Sequence, residues 1–133
     1  MRNSSLTERF VASLSYITMG MVGFLWLIIG LFTKLNLSSF IKYHIFQSIF
    51  ISLGFTVISV LLGWISSFLS LIPFVNKIVA QIVFLLNMPL ILNYSLIQFV
   101  VYTIILYLAI TAFVGQKSYL PWISDVIDKN VGN

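Results

Sequence analysis

The side chains that could do acid–base or metal chemistry are few in this sequence and far apart. Its three acids, Glu8, Asp125 and Asp128, lie near the chain ends, and His44 is its one histidine. General acid–base catalysis needs titratable groups placed together, and a zinc site needs three or four ligands. No such set lies within reach of His44 along the chain, and with no cysteine there is no thiol nucleophile, disulfide or iron–sulfur ligand. The expectation is therefore a protein with no catalytic residue, no cofactor and no metal, and not an enzyme. Ion-coupled carriers and intramembrane proteases carry ionisable groups inside a helical bundle, and the apolar stretches here carry none. His44 reads as a structural or interfacial histidine, with pH sensing or proton relay as the alternative. Gln47, one helical turn later, is an amide that needs a partner. Gln81, Asn87, Asn93 and Gln98 read as hydrogen-bonding or turn residues.

A second pattern concerns small side chains. Ser48, Ser52, Thr56, Ser59, Gly63, Ser66 and Ser70 recur at spacings of three and four, which confines them to an arc of about 80° on a helix. Two readings stay open. Small residues let helix backbones approach closely, so the stripe can be a packing seam. A line of hydroxyls can equally form a hydrophilic groove for a polar or peptide substrate.

The elements that must carry these residues follow from hydropathy. Of the 133 residues, 60% are hydrophobic and 8% charged, whereas a soluble domain is about a quarter charged. The charges leave long gaps: none between Arg9 and Lys34, none between Lys42 and Lys77, none from Ile78 to Gln116. A spanning helix needs about 20 apolar residues. The fold class expected is all-α: a single polytopic membrane domain with four transmembrane helices and a short interfacial C-terminal helix. The spans fall at about 10–33, 40–72, 74–92 and 96–114, with a tail over 115–133. Ser38 or Ser39 caps the second helix, and Pro73 and Asn76 end it. The third span carries Lys77, Gln81 and Asn87 and has a re-entrant alternative. In the tail, Trp122, Ile123, Val126 and Ile127 fall on one helical side, opposite Ser124, Asp125, Asp128 and Lys129. Such a segment suits a membrane surface, with Tyr119 and Trp122 at headgroup level.

Four spans place Arg2, Arg9, Lys77, Lys117 and Lys129 on one side and Lys34 and Lys42 on the other. The positive-inside rule then puts both termini in the cytoplasm or its organellar equivalent. Three spans leave the count undecided. The first apolar run is longer than a signal-peptide core and has no small-residue cleavage site, so it reads as a retained helix. The net charge of +4 comes from loops and tails. It suits anionic lipid headgroups and forms no basic stripe for nucleic acid.

Phe40-Ile-Lys-Tyr-His-Ile-Phe-Gln-Ser48 resembles the signature that opens a membrane helix in the Tic-twenty family, with Lys42, His44 and Gln47 at its marked positions. That family comprises the twenty-kilodalton membrane subunit of the translocon at the inner chloroplast envelope and its bacterial relatives. The tail, with Gly115, Pro121, Asp125 and Asp128, resembles the family's closing pattern, and Arg9-Phe-Val-Ala-Ser-Leu-Ser-Tyr16 is similar to its first helix. Val126 and Ile127 stand where the family has alanines, and the longer insertion of the chloroplast members is missing. The resemblance implies a four-helix subunit of a protein-import channel in a bacterial plasma membrane or plastid inner membrane, with both termini cytoplasmic or stromal. Its partners would be the lipid bilayer, other membrane subunits or further copies of itself, and a translocating polypeptide. Two other functions remain open: a structural or regulatory membrane subunit without transport, and a subunit of a small-solute or ion channel or carrier.

Overall fold

The structure, a computed structural model, describes residues 4–131; Arg2 and the last two residues of the tail lie outside the described part. It contains six helices, α1 (Leu6–Ile17), α2 (Met21–Thr33), α3 (Ser39–Ser70), α4 (Val75–Asn87), α5 (Leu96–Val114) and α6 (Ile123–Val131), and a small hairpin of β1 (Pro89–Ile91) and β2 (Tyr94–Ser95). The chain divides into two compact units. One takes the residues up to Leu53 and from Ile105 onward; the other takes Gly54–Ile104.

In the first unit, α1 starts at a reciprocal cap. The Ser5 hydroxyl accepts from the Glu8 backbone N–H, and the Glu8 carboxylate accepts from that of Ser5. The helix then stops in the middle of the apolar run. Met19 takes φ +51° and Gly20 φ +89°, and Gly20 N–H donates to the Ser15 carbonyl while Met19 N–H donates to that of Tyr16. These bonds form a Schellman closure. The stretch expected as one span from Phe10 to Thr33 is thus two helices of 12 and 13 residues.

The contacts fix the direction of each arm. Along α1, Val11 clusters with Ile41 and Ile45 of α3, and Ser15 reaches Ser48 at 2.6 Å. Along α2 the order reverses: Gly20 lies against Ile49 and Gly23 against Ile45, then Leu27 and Gly30 line a cavity with Lys42 and Phe46. α1 therefore runs parallel to the start of α3 and α2 antiparallel to it. Gly23 makes the close approach possible. A Cβ there would collide with the Ser15 Oγ and lie 2.9 Å from the Ile45 Cγ2.

α3 begins where Ser38 Oγ accepts from the Ile41 N–H at 3.4 Å. α5 ends in a second Schellman closure: Gly115, at φ +88°, donates to the Ala112 carbonyl and Gln116 to that of Thr111. The Arg9 guanidinium covers this glycine so closely that a Cβ would sit 2.7 Å from its Cζ.

The second unit holds the later turns of α3, then α4, the hairpin and the start of α5. Ile91 pairs with Tyr94, and Leu92 and Asn93 between them take φ +49° and +67°, the left-handed pair of a tight hairpin turn. Ser95 and Gln98 then cap α5 reciprocally. The stretch expected as a third span from 74 to 92 is a 13-residue helix followed by this hairpin. Among the described residues, only α3 and α5 are helices long and apolar enough to cross a membrane, each with mean hydropathy 2.2.

Candidate functional site

The polar side chains of the two resembling stretches meet in one buried cluster of the first unit. α3 is buried along Ile41, Tyr43, His44, Ile45, Gln47 and Ser48, a face wide enough to receive α1 on one flank and the tail on the other. From α1 comes Tyr16, 3% exposed. From the segment after Gly115 come Ser118 and Ser124, both buried.

Gln47 is the hub. Its Nε2 donates to the Ser118 carbonyl at 3.1 Å and to the Ser124 Oγ at 3.2 Å. Its Oε1 accepts from the Tyr16 hydroxyl at 2.5 Å and from the Ser118 hydroxyl at 3.1 Å. A primary amide offers two N–H groups and two lone pairs, so this one is saturated. The Tyr43 hydroxyl lies 2.8 Å from both the Ser118 carbonyl and the Ser124 Oγ. Ser124 also accepts the Leu120 N–H at 2.7 Å, which fixes the turn into α6.

His44 stands at the edge of the cluster. The Tyr16 proton goes to Gln47, so the 2.8 Å contact between Tyr16 and Nδ1 needs the imidazole as donor. Nε2 is then the lone-pair nitrogen, and it is the one buried side-chain polar atom among the described residues without a hydrogen bond. The rings of Phe40, Tyr16 and Tyr43 meet the imidazole edge-on at 4.5, 5.7 and 5.3 Å. No group of three potential metal ligands exists among the described residues.

The other signature residues lie at the surface. Lys42, Pro121, Asp125 and Asp128 are exposed. Asp128 pairs with Lys117 at 3.1 Å, and the Lys117 ammonium lies 4.7 Å from the centre of the Tyr43 ring. Asp125 accepts from the Tyr119 hydroxyl at 3.1 Å, and this carboxylate holds the phenol above its ordinary pKa.

Of the apolar side of the tail, Ile127 faces inward beside Ser124, while Trp122 is 85% exposed and Val126 is exposed too. Of the small-residue stripe, Ser48 is buried, Ser52 and Ser66 are partly covered, and Thr56, Ser59, Gly63 and Ser70 are exposed. A Cβ at Gly63 would meet nothing within 4 Å, so no helix of this chain closes on the stripe there. The cleft beside it is lined by Gly63, Ser66 and Asn87 together with Leu62, Leu69, Ile82, Val83 and Leu86. Ser118, Ser124 and Tyr16 were missed as site residues. The available signal was Gln47 itself, since an amide in an apolar helix must find donors and acceptors elsewhere. No family model, curated protein or solved structure matches the chain.

Proposed function

We propose that the chain is a multi-pass membrane protein of Tic-twenty type that serves as a membrane subunit of a protein-translocation machinery, with both termini on the cytoplasmic or stromal side. The observation that carries this reading is the convergence of Tyr16, His44, Gln47 and the segment after Gly115 in one saturated cluster. These residues come from the three stretches that resemble the family, and such a cluster explains why those separated stretches belong together. The membrane setting has separate support. Phe50, Leu61, Trp64, Phe68, Phe84, Phe99 and Phe113 are each about half exposed or more, a surface that lipid accepts and water does not. α3 and α5 cross the bilayer, and the apolar α2 and α4 are embedded without crossing alone.

The test is site-specific photocrosslinking along α3 and α5 in vesicles holding an arrested preprotein. Adducts to the preprotein support the translocation reading, and adducts confined to membrane subunits refute it. The second reading, a structural membrane subunit without conduction, is favoured by the saturation of Gln47, which leaves that amide no free valence for a substrate. Ion or solute flux through liposomes of the purified protein would exclude that reading and support a channel.

A further inference from the structure

The break between α1 and α2 falls where a surface loop would be polar, yet its side chains are Ile17, Thr18, Met19, Gly20, Met21 and Val22. Ile17, Met19 and Met21 are exposed at 58, 45 and 70%. The backbone N–H groups of the turn are meanwhile satisfied from within. The N–H groups of Thr18, Met19, Gly20 and Met21 donate to the carbonyls of Leu14, Tyr16, Ser15 and Thr18. The N–H of Val22 donates to the Thr18 Oγ1, whose own proton goes to the Leu14 carbonyl. A turn with chiefly apolar side chains and with these N–H groups paired suits hydrocarbon far better than a polar surface loop does.

The dimensions agree. Helices of 12 and 13 residues are each about 18–20 Å long, short of the ~30 Å hydrocarbon core. The turn lies against Ile49, seven residues beyond Lys42 along α3, or about 10 Å deeper. That depth is inside the half-thickness of about 15 Å. The arms start and finish at one level: Arg9 covers Gly115, and the cavity beside Gly30 is shared with Lys42 and Asn130.

We infer that α1 and α2 form a re-entrant hairpin that enters and leaves the bilayer from the same face, its tip of Met19, Gly20 and Met21 held among the lipid chains of one leaflet. Lys34 and Lys42 then share a face with both termini. Of the six Lys and Arg among the described residues, all but Lys77 lie on that face, against four in the four-span arrangement. Arg9, Lys34, Lys42, Lys117 and Lys129 form a cationic rim that fits an anionic lipid surface.

The inference rests on the membrane reading, and the experiment separates the two. Because the chain has no cysteine, single thiols can be placed at will. In sealed vesicles of one orientation, an impermeant maleimide should modify Ser4→Cys, Asn36→Cys and Lys129→Cys from the same side, and Asn76→Cys only from the other. Asn36→Cys reacting with the sidedness of Asn76→Cys overturns the hairpin while leaving the protein in the membrane. A nitroxide on Met19→Cys should collide more with dissolved oxygen than with a water-soluble nickel chelate, and the reverse ratio overturns the buried tip. Release of the whole protein by alkaline carbonate refutes the membrane reading itself.

Discussion

A single amide holds the polar centre of the first unit together, and single substitutions should expose how much it carries. Replacing Gln47 with Leu leaves Tyr16, Ser118 and Ser124 without the partners they have at 2.5–3.2 Å. Each buried polar group left unpaired costs about 1–3 kcal/mol, so Gln47→Leu should lower the thermal midpoint in detergent by several degrees or more. Tyr16→Phe removes one hydroxyl that serves both Gln47 and His44 and should cost about 1–3 kcal/mol in denaturant titration. Lys42→Gln, at an exposed position of the same signature, should stay within about 0.5 kcal/mol of the parent. Equal effects at Gln47 and Lys42 would remove the cluster as the reason these residues occur together. The need of Gln47 for a partner is legible in the sequence, because an amide has no other way to sit in an apolar helix. Which groups supply it is not. Ser118 and Ser124 lie more than seventy positions away, and on a helical wheel Ser124 falls among the charged residues of the tail.

At the scale of elements, α3 and α5 could be read from the length of their apolar runs, and the end of α5 from Gly115. The break in the first run could not, because no charged residue interrupts Phe10 to Thr33 and a Schellman closure adds no polar residue to mark it. Its left-handed position falls on Met19 rather than on a glycine, against the usual preference. The reason lies in Gly20 and Gly23, whose missing side chains let α2 press onto Ile49 and Ile45. Adding a methyl at Gly23 should therefore cost about 1–3 kcal/mol through overpacking, whereas Gly63→Ala, with open space around it, should leave the fold intact. Parallel melting curves of the two variants check this. If the stripe beyond Thr56 receives another chain, Ser59→Leu should change the mass of the native complex on gradient gels without changing the melting of the isolated protein.

For the whole molecule, the tail is part of the packed core. It contributes Ser118, Ser124 and Ile127, each 2% exposed or less. Truncation after Lys117 should leave α3 and α5 resistant to carbonate extraction yet make α1 and α2 sensitive to protease in detergent. Protease resistance equal to that of the full chain would show that the tail is an ornament of the surface. The same docking has a consequence for biosynthesis. A ribosome completes Tyr16, Tyr43 and Gln47 long before it reaches Ser118, so until then these groups stand without the partners they have in the folded chain. The polar cluster therefore closes only once Ser118 and Ser124 are made, and a nascent chain stalled before Ser118 carries an open polar pocket that a chaperone or a protease can recognise. Closure of that pocket by Ser118 and Ser124 ties the maturation of α1 and the start of α3 to a segment made more than seventy residues later.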